Sequence, residues 1–256
     1  MDFTKKVPSD KKSKKSWGKD GGMETQRSGK DVLKELKDKR GYLHTHHEFF
    51  GYSDPPMLEK YDQLYEHLVL KKKFLDNYTK ELVFLGILAV TLKEVGGPTH
   101  IKRAREAGIT ANEMAEVFFL AQIAKGVDAL SFVGDKWAHL LADTNVWQQY
   151  DESIKNLTAR IKISKKVVEL IFIGLYSALG KKAALRFHLC RANKYGLQDE
   201  EIYEAMSYIM IICGGPAMID AADVLKDVLK KGQLKPQSVF KSWVSAMRLD
   251  KSTEGR

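Results

Sequence analysis

The sequence predicts an all-α fold made of two similar halves, and three observations carry that prediction. No stretch of the 256 residues alternates with period two for long enough to make a strand. Apolar residues recur instead at helical spacing between cap-forming residues. The chain also contains one stretch twice. Sliding it by 88 residues lays Glu81, Leu82, Phe84, Gly86 and Lys93 on Glu169, Leu170, Phe172, Gly174 and Lys181 without a gap. The match continues with His100, Arg103, Ala104 and Gly108 on His188, Arg191, Ala192 and Gly196. Glu113, Glu116, Gly126 and Asp135 then meet Glu201, Glu204, Gly214 and Asp223. A repeat of this length means that each half is one structural unit whose apolar face is buried against the other.

The elements follow in order. Residues 1–29 are rich in Lys, Gly and Ser and read as a disordered basic leader. Residues 30–72 form a helical lead-in. Val32, Leu33 and Leu36 space a short helix that Gly41 ends, and the segment YLHTHHEFFGYSDPP has no clear period and closes at Pro55-Pro56. Met57 to Leu70 then recovers helical spacing. The first repeat takes residues 73–145. Asp76 suits the N-cap of a helix that is apolar nearly all round from Leu82 to Leu92. Gly96-Gly97-Pro98 breaks it, and a helix from His100 to Ala107 ends at Gly108. Thr110 with Glu113 forms a capping box for a third helix, and a fourth is expected from about Asp128 to Leu141. The second repeat takes residues 146–233. Ser164 caps the Glu169 helix, the His188 helix follows, Asp199 opens the next, and Gly214-Gly215-Pro216 breaks the chain before a last long helix. Residues 234–256 are a C-terminal tail with a short amphipathic piece at 236–247.

Composition narrows the function classes. The net charge of +9 is mostly the leader's: residues 1–40 hold 13 Lys/Arg against 7 Asp/Glu. With no nucleic-acid motif beside that tail, a specific nucleic-acid partner is not expected. No uninterrupted apolar run reaches the roughly 18–20 residues of a membrane span, so no membrane partner is expected and a cytoplasmic protein is the reading. Cys190 and Cys213 alone build neither a disulfide framework nor a zinc site, and their apolar contexts suggest buried free thiols.

The polar residues worth weighing are those that recur. In each half a Glu sits inside an apolar helix and a His opens the next helix, so the two side chains can meet across the break. A carboxylate among Leu, Val and Phe has its charged form disfavoured unless a partner compensates, and a His would be that partner. Such a pair either braces the fold or moves protons for a substrate. Arg103 and Arg191, one turn after each His, suit either a substrate carboxylate or a neighbouring acid. His44, His46, His47 and Glu48 have the donor types of a zinc or iron site, but nothing sets other ligands against them; a lid or inter-subunit contribution to the mouth of the site ranks above a metal, and a surface or structural role above both. Tyr176 stands where the first copy has Leu88, and marks a place where the two pockets differ.

The stretches LDNYTKELVFL…H…A.EAGIT.NEM.E and KKVVELI…FH…A…GL..EEI.EA…GGPA resemble the carboxymuconolactone decarboxylase and alkyl hydroperoxidase D-like families over about residues 57–231. The resemblance implies tandem all-α alkyl hydroperoxidase D-like domains, commonly assembled as trimers or hexamers, so a homotrimer is expected here. Peroxidase-type members carry a Cys-x-x-Cys pair before the His; the matching positions here are Lys93 and Gly96, and Lys181 and Ala184. Thiol–disulfide chemistry needs a thiolate with a resolving partner, which makes peroxidase activity, even through Cys190, the poorest of the readings. The resemblance instead implies a cofactor-free lyase or isomerase for a small carboxylated lactone or oxo-acid. Glu81, His100, Glu169 and His188 would then be catalytic, with Arg103, Arg191, Lys93 and Lys181 binding substrate. The alternative is a ligand-binding or structural oligomer that has lost its chemistry.

Overall fold

The computed structural model describes residues 27–141 and 145–253. All but the last three residues of the expected leader lie outside them. The chain forms two compact units, the first ending at Lys60 and the second starting at Tyr61.

In the first unit, α1 (Gly29–Arg40) starts where the Ser28 side chain accepts the Asp31 amide and ends at Gly41, whose φ of +78° favours glycine. The segment without a visible period is helix α2 (Thr45–Ser53). Its start is fixed by a histidine, since His47 Nδ1 accepts the His44 backbone N–H at 3.0 Å. Its packing is fixed by a glycine: a Cβ on Gly51 would lie 2.6 Å from Leu33. Neither device leaves an apolar stripe in the sequence. Pro55 and Pro56 open α3 (Pro55–Tyr65) instead of closing the preceding segment, because the first turn of a helix has no use for their missing N–H groups. Leu58 of α3 joins Val32, Leu33 and Leu36 in this unit's core.

The second unit holds both repeats. The remainder of α3 widens into a π turn over Glu66–Leu70, closed by the Lys71 N–H on the Glu66 carbonyl at 2.9 Å. There follow α4 (Asn77–Val90), α5 (Gly97–Glu106) and α6 (Ala111–Lys136). The second repeat supplies α7 (Val146–Thr158), α8 (Lys165–Leu179), α9 (Lys182–Arg191), α10 (Asp199–Ser207), α11 (Ile209–Ile212), α12 (Gly215–Lys230) and α13 (Val239–Thr253). No strand occurs among the described residues. Asp76, Thr110 and Ser164 each accept the amide that an N-cap side chain should.

The core is built on the crossing of α4 and α8, the two helices that the sequence makes apolar all round. They cross at the repeated glycines. A Cβ on Gly86 would come within 3.2 Å of Leu175, and one on Gly174 within 3.0 Å of Val83. Helices α5 and α6 pack on α4, and α9, α10 and α12 on α8. The halves are tied reciprocally as well. Glu204 Oε2 accepts the amides of Phe74 and Leu75 at 2.7 and 2.8 Å, while its repeat-mate Glu116 accepts those of Lys162 and Ile163 at 3.0–3.2 Å. Each half thus closes the entry loop of the other.

Two further expectations need correction. The break near Asp128 is absent: α6 runs unbroken through Gly126, because the first copy lacks the Pro that follows Gly214-Gly215 in the second. Asp199 opens α10 as its first residue, behind the N-cap Gln198, and its Oδ2 also accepts the amides of Gln237, Ser238 and Phe240 and fixes the start of α13. Counting uninterrupted apolar runs also missed α6, the one described helix long and apolar enough to cross a membrane, since Lys125 and Asp128 interrupt its run. Val117, Leu120, Ala121, Ala124 and Val127 bury one face of α6, while Phe118, Phe119 and Phe132 stand exposed on the rest.

Candidate functional site

The local sequence places the two Glu–His pairs in related ways. The Glu lies one turn into α4 or α8, held among buried Leu, Val and Ile. The chain turns sharply and returns as α5 or α9; the first turn of α5 carries His100 back against Glu81, whereas His188 sits in the last turn of α9 instead of opening it. His100 Nδ1 lies 2.7 Å from Glu81 Oε2, and His188 Nδ1 lies 2.7 Å from Glu169 Oε2. Phe84 stacks on the His100 ring at 4.4 Å, and Phe172 on the His188 ring at 4.6 Å. All four polar side chains are buried. In both pairs the carboxylate accepts the Nδ1 hydrogen, which leaves Nε2 for another partner.

Beyond this shared core the two copies diverge. In the second, His188 Nε2 receives the Tyr150 hydroxyl at 3.1 Å, and Tyr150 receives that of Tyr176 at 2.5 Å. Arg191 Nε closes on Glu169 Oε1 at 3.1 Å, and its other nitrogens engage Asp151 and Tyr195. Every polar atom of this Glu–His pair is therefore satisfied by protein. Burial, reinforced by Arg191 against the pull of Glu169, holds the His188 pKa below its ordinary value. Burial likewise pushes the Tyr150 and Tyr176 hydroxyls far above theirs. Neither Glu169 nor His188 lines a described cavity.

In the first copy Leu88 replaces Tyr176, and the pair stays open. Glu81 Oε1 and His100 Nε2 have no protein partner among the described residues. Glu81 lines a cavity of about 220 Å³ with Val69, Leu70, Asn77, Lys80, Arg103 and Glu106. His100 stands behind Glu81, outside that lining. Arg103 reaches the same cavity and donates to the Tyr65 hydroxyl at 3.2 Å. A larger cavity of about 570 Å³ lies on the far side of Arg191, between Trp147, Phe187, Arg186 and Cys190; it does not reach the Glu–His pair. Cys190, expected to be buried, is exposed there, since α9 turns His188 and Leu189 inward and the next residue outward.

Comparison with known proteins agrees with this duplicated arrangement. The sequence profile of the carboxymuconolactone decarboxylase family matches residues 55–138 and again 145–227. The chain belongs to that family. A crystal structure from Burkholderia xenovorans LB400, described as that of a gamma-carboxymuconolactone decarboxylase subunit, is similar in fold. It has a TM-score of 0.55 and 17% sequence identity, over 81% of this chain and 99% of the other. No curated protein matches the chain.

Within the family frame, the remaining candidates fall away from the paired carboxylates. Lys93, at the slot of a family cysteine, is exposed beyond the end of α4, next to Leu92 with its φ of +57°. Lys181 pairs with Asp128 at 2.7 Å. Neither lines a described cavity. The described residues hold no group of three or more His, Cys, Asp or Glu placed for a metal ion; His44, His46 and His47 stack on one another in the first unit. Sequence reasoning missed Lys80, and it missed Tyr150 and Asp151. A signal for the last two existed: the dipeptide Tyr-Asp occurs at 61–62 and at 150–151, offset by 89 instead of 88. The extra residue of the first copy falls between Leu68 and Phe74, beside the π turn, and Val69 and Leu70 of that turn line the open cavity. An inserted residue absorbed as a π turn near a site is a known helical device.

Proposed function

We propose that this chain is a cofactor-independent acid–base enzyme, a lyase or isomerase acting on a small carboxylated lactone or oxo-acid, and that it works from the first copy. The observation that carries the reading is the asymmetry between two equivalent Glu–His pairs. One has a free carboxylate oxygen on a cavity that also holds an arginine; the other is closed by two tyrosines and an ion pair.

In this reading Arg103 holds the substrate carboxylate, since a guanidinium offers a planar pair of donors to it. Glu81 Oε1 takes a proton from the carbon beside the reacting carbonyl and returns it elsewhere. His100, which does not reach the cavity, acts as a positioning residue: its Nδ1–H fixes the Glu81 carboxylate and supports its charge. The cavity is smaller than the roughly 300–1,000 Å³ of drug-sized pockets, which suits a small acid. In the second copy Glu169, His188 and Arg191 brace the core. The homotrimer belongs to the same reading, supported by the exposed Phe118, Phe119 and Phe132 on α6; light scattering that finds a monomer at micromolar concentration would count against it.

The test is a screen of small lactone acids and oxo-acids with product analysis by mass spectrometry. With a substrate in hand, Glu81→Gln should lower kcat by about 10²–10⁴-fold, the range of a general acid–base group. His188→Gln should leave kcat within a few-fold while lowering the melting temperature. Full turnover by Glu81→Gln sinks the proposal, as does a folded His188→Gln as inactive as Glu81→Gln. Thermal stabilisation by such acids with no product formed would favour a binding protein instead.

A further inference from the structure

Lys80 precedes Glu81 on the first turn of α4 and is only 4% exposed. It lines the open cavity, yet no hydrogen bond or ion pair engages its ammonium among the described residues. At the equivalent position the second copy has Val168, fully at home in the core. The side chain is buried and only its tip opens on the cavity; even partial desolvation of an unpartnered ammonium is costly, and a core that accepts valine has no structural need of a lysine. Burial pushes the Lys80 pKa down and Arg103 adds to the effect, while Glu81 and Glu204 draw it back up. Its surroundings thus hold opposed charges in balance around an amine that faces empty space. Lys93 and Lys181, the lysines expected to bind substrate, line neither cavity.

We propose that Lys80 is the oxyanion-binding residue of this site: its ammonium meets the carbonyl oxygen of a substrate whose carboxylate lies against Arg103. The inference rests on the acid–base reading above and narrows its substrate class to acids carrying a second, enolisable carbonyl oxygen near the carboxylate. When Glu81 Oε1 removes the proton, the C–H electron pair becomes the enolate double bond and the carbonyl oxygen takes the negative charge. Returning that proton from Glu81 to another carbon completes an isomerisation. When a carboxylate leaves instead as CO₂, the pair of the broken C–C bond arrives at the same oxygen, and a proton taken from water and added at the carbon that lost CO₂ then restores the carbonyl. In both cases the charge forms where a fixed cation already waits beside a small cavity, so its stabilisation needs no reorganisation at the moment of reaction.

Oxalate, a planar dianion with the charge pattern of a carboxylate beside an enolate, is the probe, with acetate as its single-charge control. By calorimetric titration the wild-type protein should bind oxalate at least about tenfold more tightly than acetate, the scale of one charge-assisted hydrogen bond. Lys80→Met should erase that preference and leave acetate binding within a few-fold, whereas Arg103→Met should weaken both. Melting curves establish that the variants are folded, and Lys80→Gln serves if the methionine variant is not. Equal oxalate binding by wild type and Lys80→Met overturns the assignment, and so does a wild-type protein without the preference. If a substrate is found, Lys80→Met should lower kcat far more than it raises KM. Unchanged kcat removes Lys80 alone and leaves the Glu81 reading standing; oxalate discrimination with no turnover of any acid removes the Glu81 reading and leaves Lys80 as a binding residue.

Discussion

At the scale of single residues, the two Glu–His pairs show how much one neighbour decides. Tyr150 fills His188 Nε2 and Tyr176 backs it with a second hydroxyl, whereas Leu88 at the Tyr176 position of the first copy has none to offer. The same burial that seals His188 makes a prediction about pH. Its folded pKa lies below the ordinary value of about 6.5. Above that value His188 is neutral folded or unfolded and sets no slope. As pH falls through 6.5, the unfolded chain binds a proton that the folded chain refuses, so stability declines until the folded pKa is reached. Denaturant titrations at pH 7.5 and 5.5 should therefore show a loss on acidification that shrinks in His188→Gln; an unchanged loss in that variant would refute it. The pairs themselves were legible in the sequence, because two acids and two histidines kept one spacing. Lys80 was not. Only burial distinguishes it from a solvated lysine, and one copy alone carries it.

At the scale of elements, the legible signals were caps and breaks, and the illegible ones were backbone shapes set by tertiary packing. Ser28, Asp76, Thr110 and Ser164 announce helix starts by their side-chain chemistry. Helix α2 announces nothing, because a histidine starts it and a glycine seats it. The two glycines of one repeat position mark the difference best. Gly126 lies inside α6 with nothing within 4 Å of an added Cβ, while Gly214 has a φ of +82° at the α11–α12 break. Gly126→Ala should stabilise the protein by roughly 0.5–1 kcal/mol, since alanine loses less freedom in a helix. Gly214→Ala should destabilise it by about 1–2 kcal/mol, the cost of holding a side chain in the left-handed region. Chemical denaturation of the pair measures both, and equal effects at the two sites would contradict the assignment of one as helix interior and the other as break.

At the scale of the whole molecule, the 88-residue shift disclosed the duplication but not its interlocking, since a repeat in sequence does not tell which half a side chain serves. By the shift alone, Glu116 and Glu204 are simply two positions in register. In the fold each serves the opposite half, and Glu204, fully buried, also accepts the Tyr208 hydroxyl at 2.7 Å. Glu204→Ala should cost roughly 3 kcal/mol by leaving buried donors unpaired, and Glu116→Ala, half-buried, about 1 kcal/mol. Melting experiments decide this, and the prediction fails if the two variants are equally stable. A consequence reaches into how such a chain can evolve. Once one duplicate gives up chemistry, selection on its pocket relaxes and drift would ordinarily erode it. On the proposed reading the second duplicate does no chemistry, yet it still supplies the carboxylate that shapes the entry loop of the first. Deleting it, or letting it decay, would then cost the first half its own architecture, a reason for such a copy to be retained.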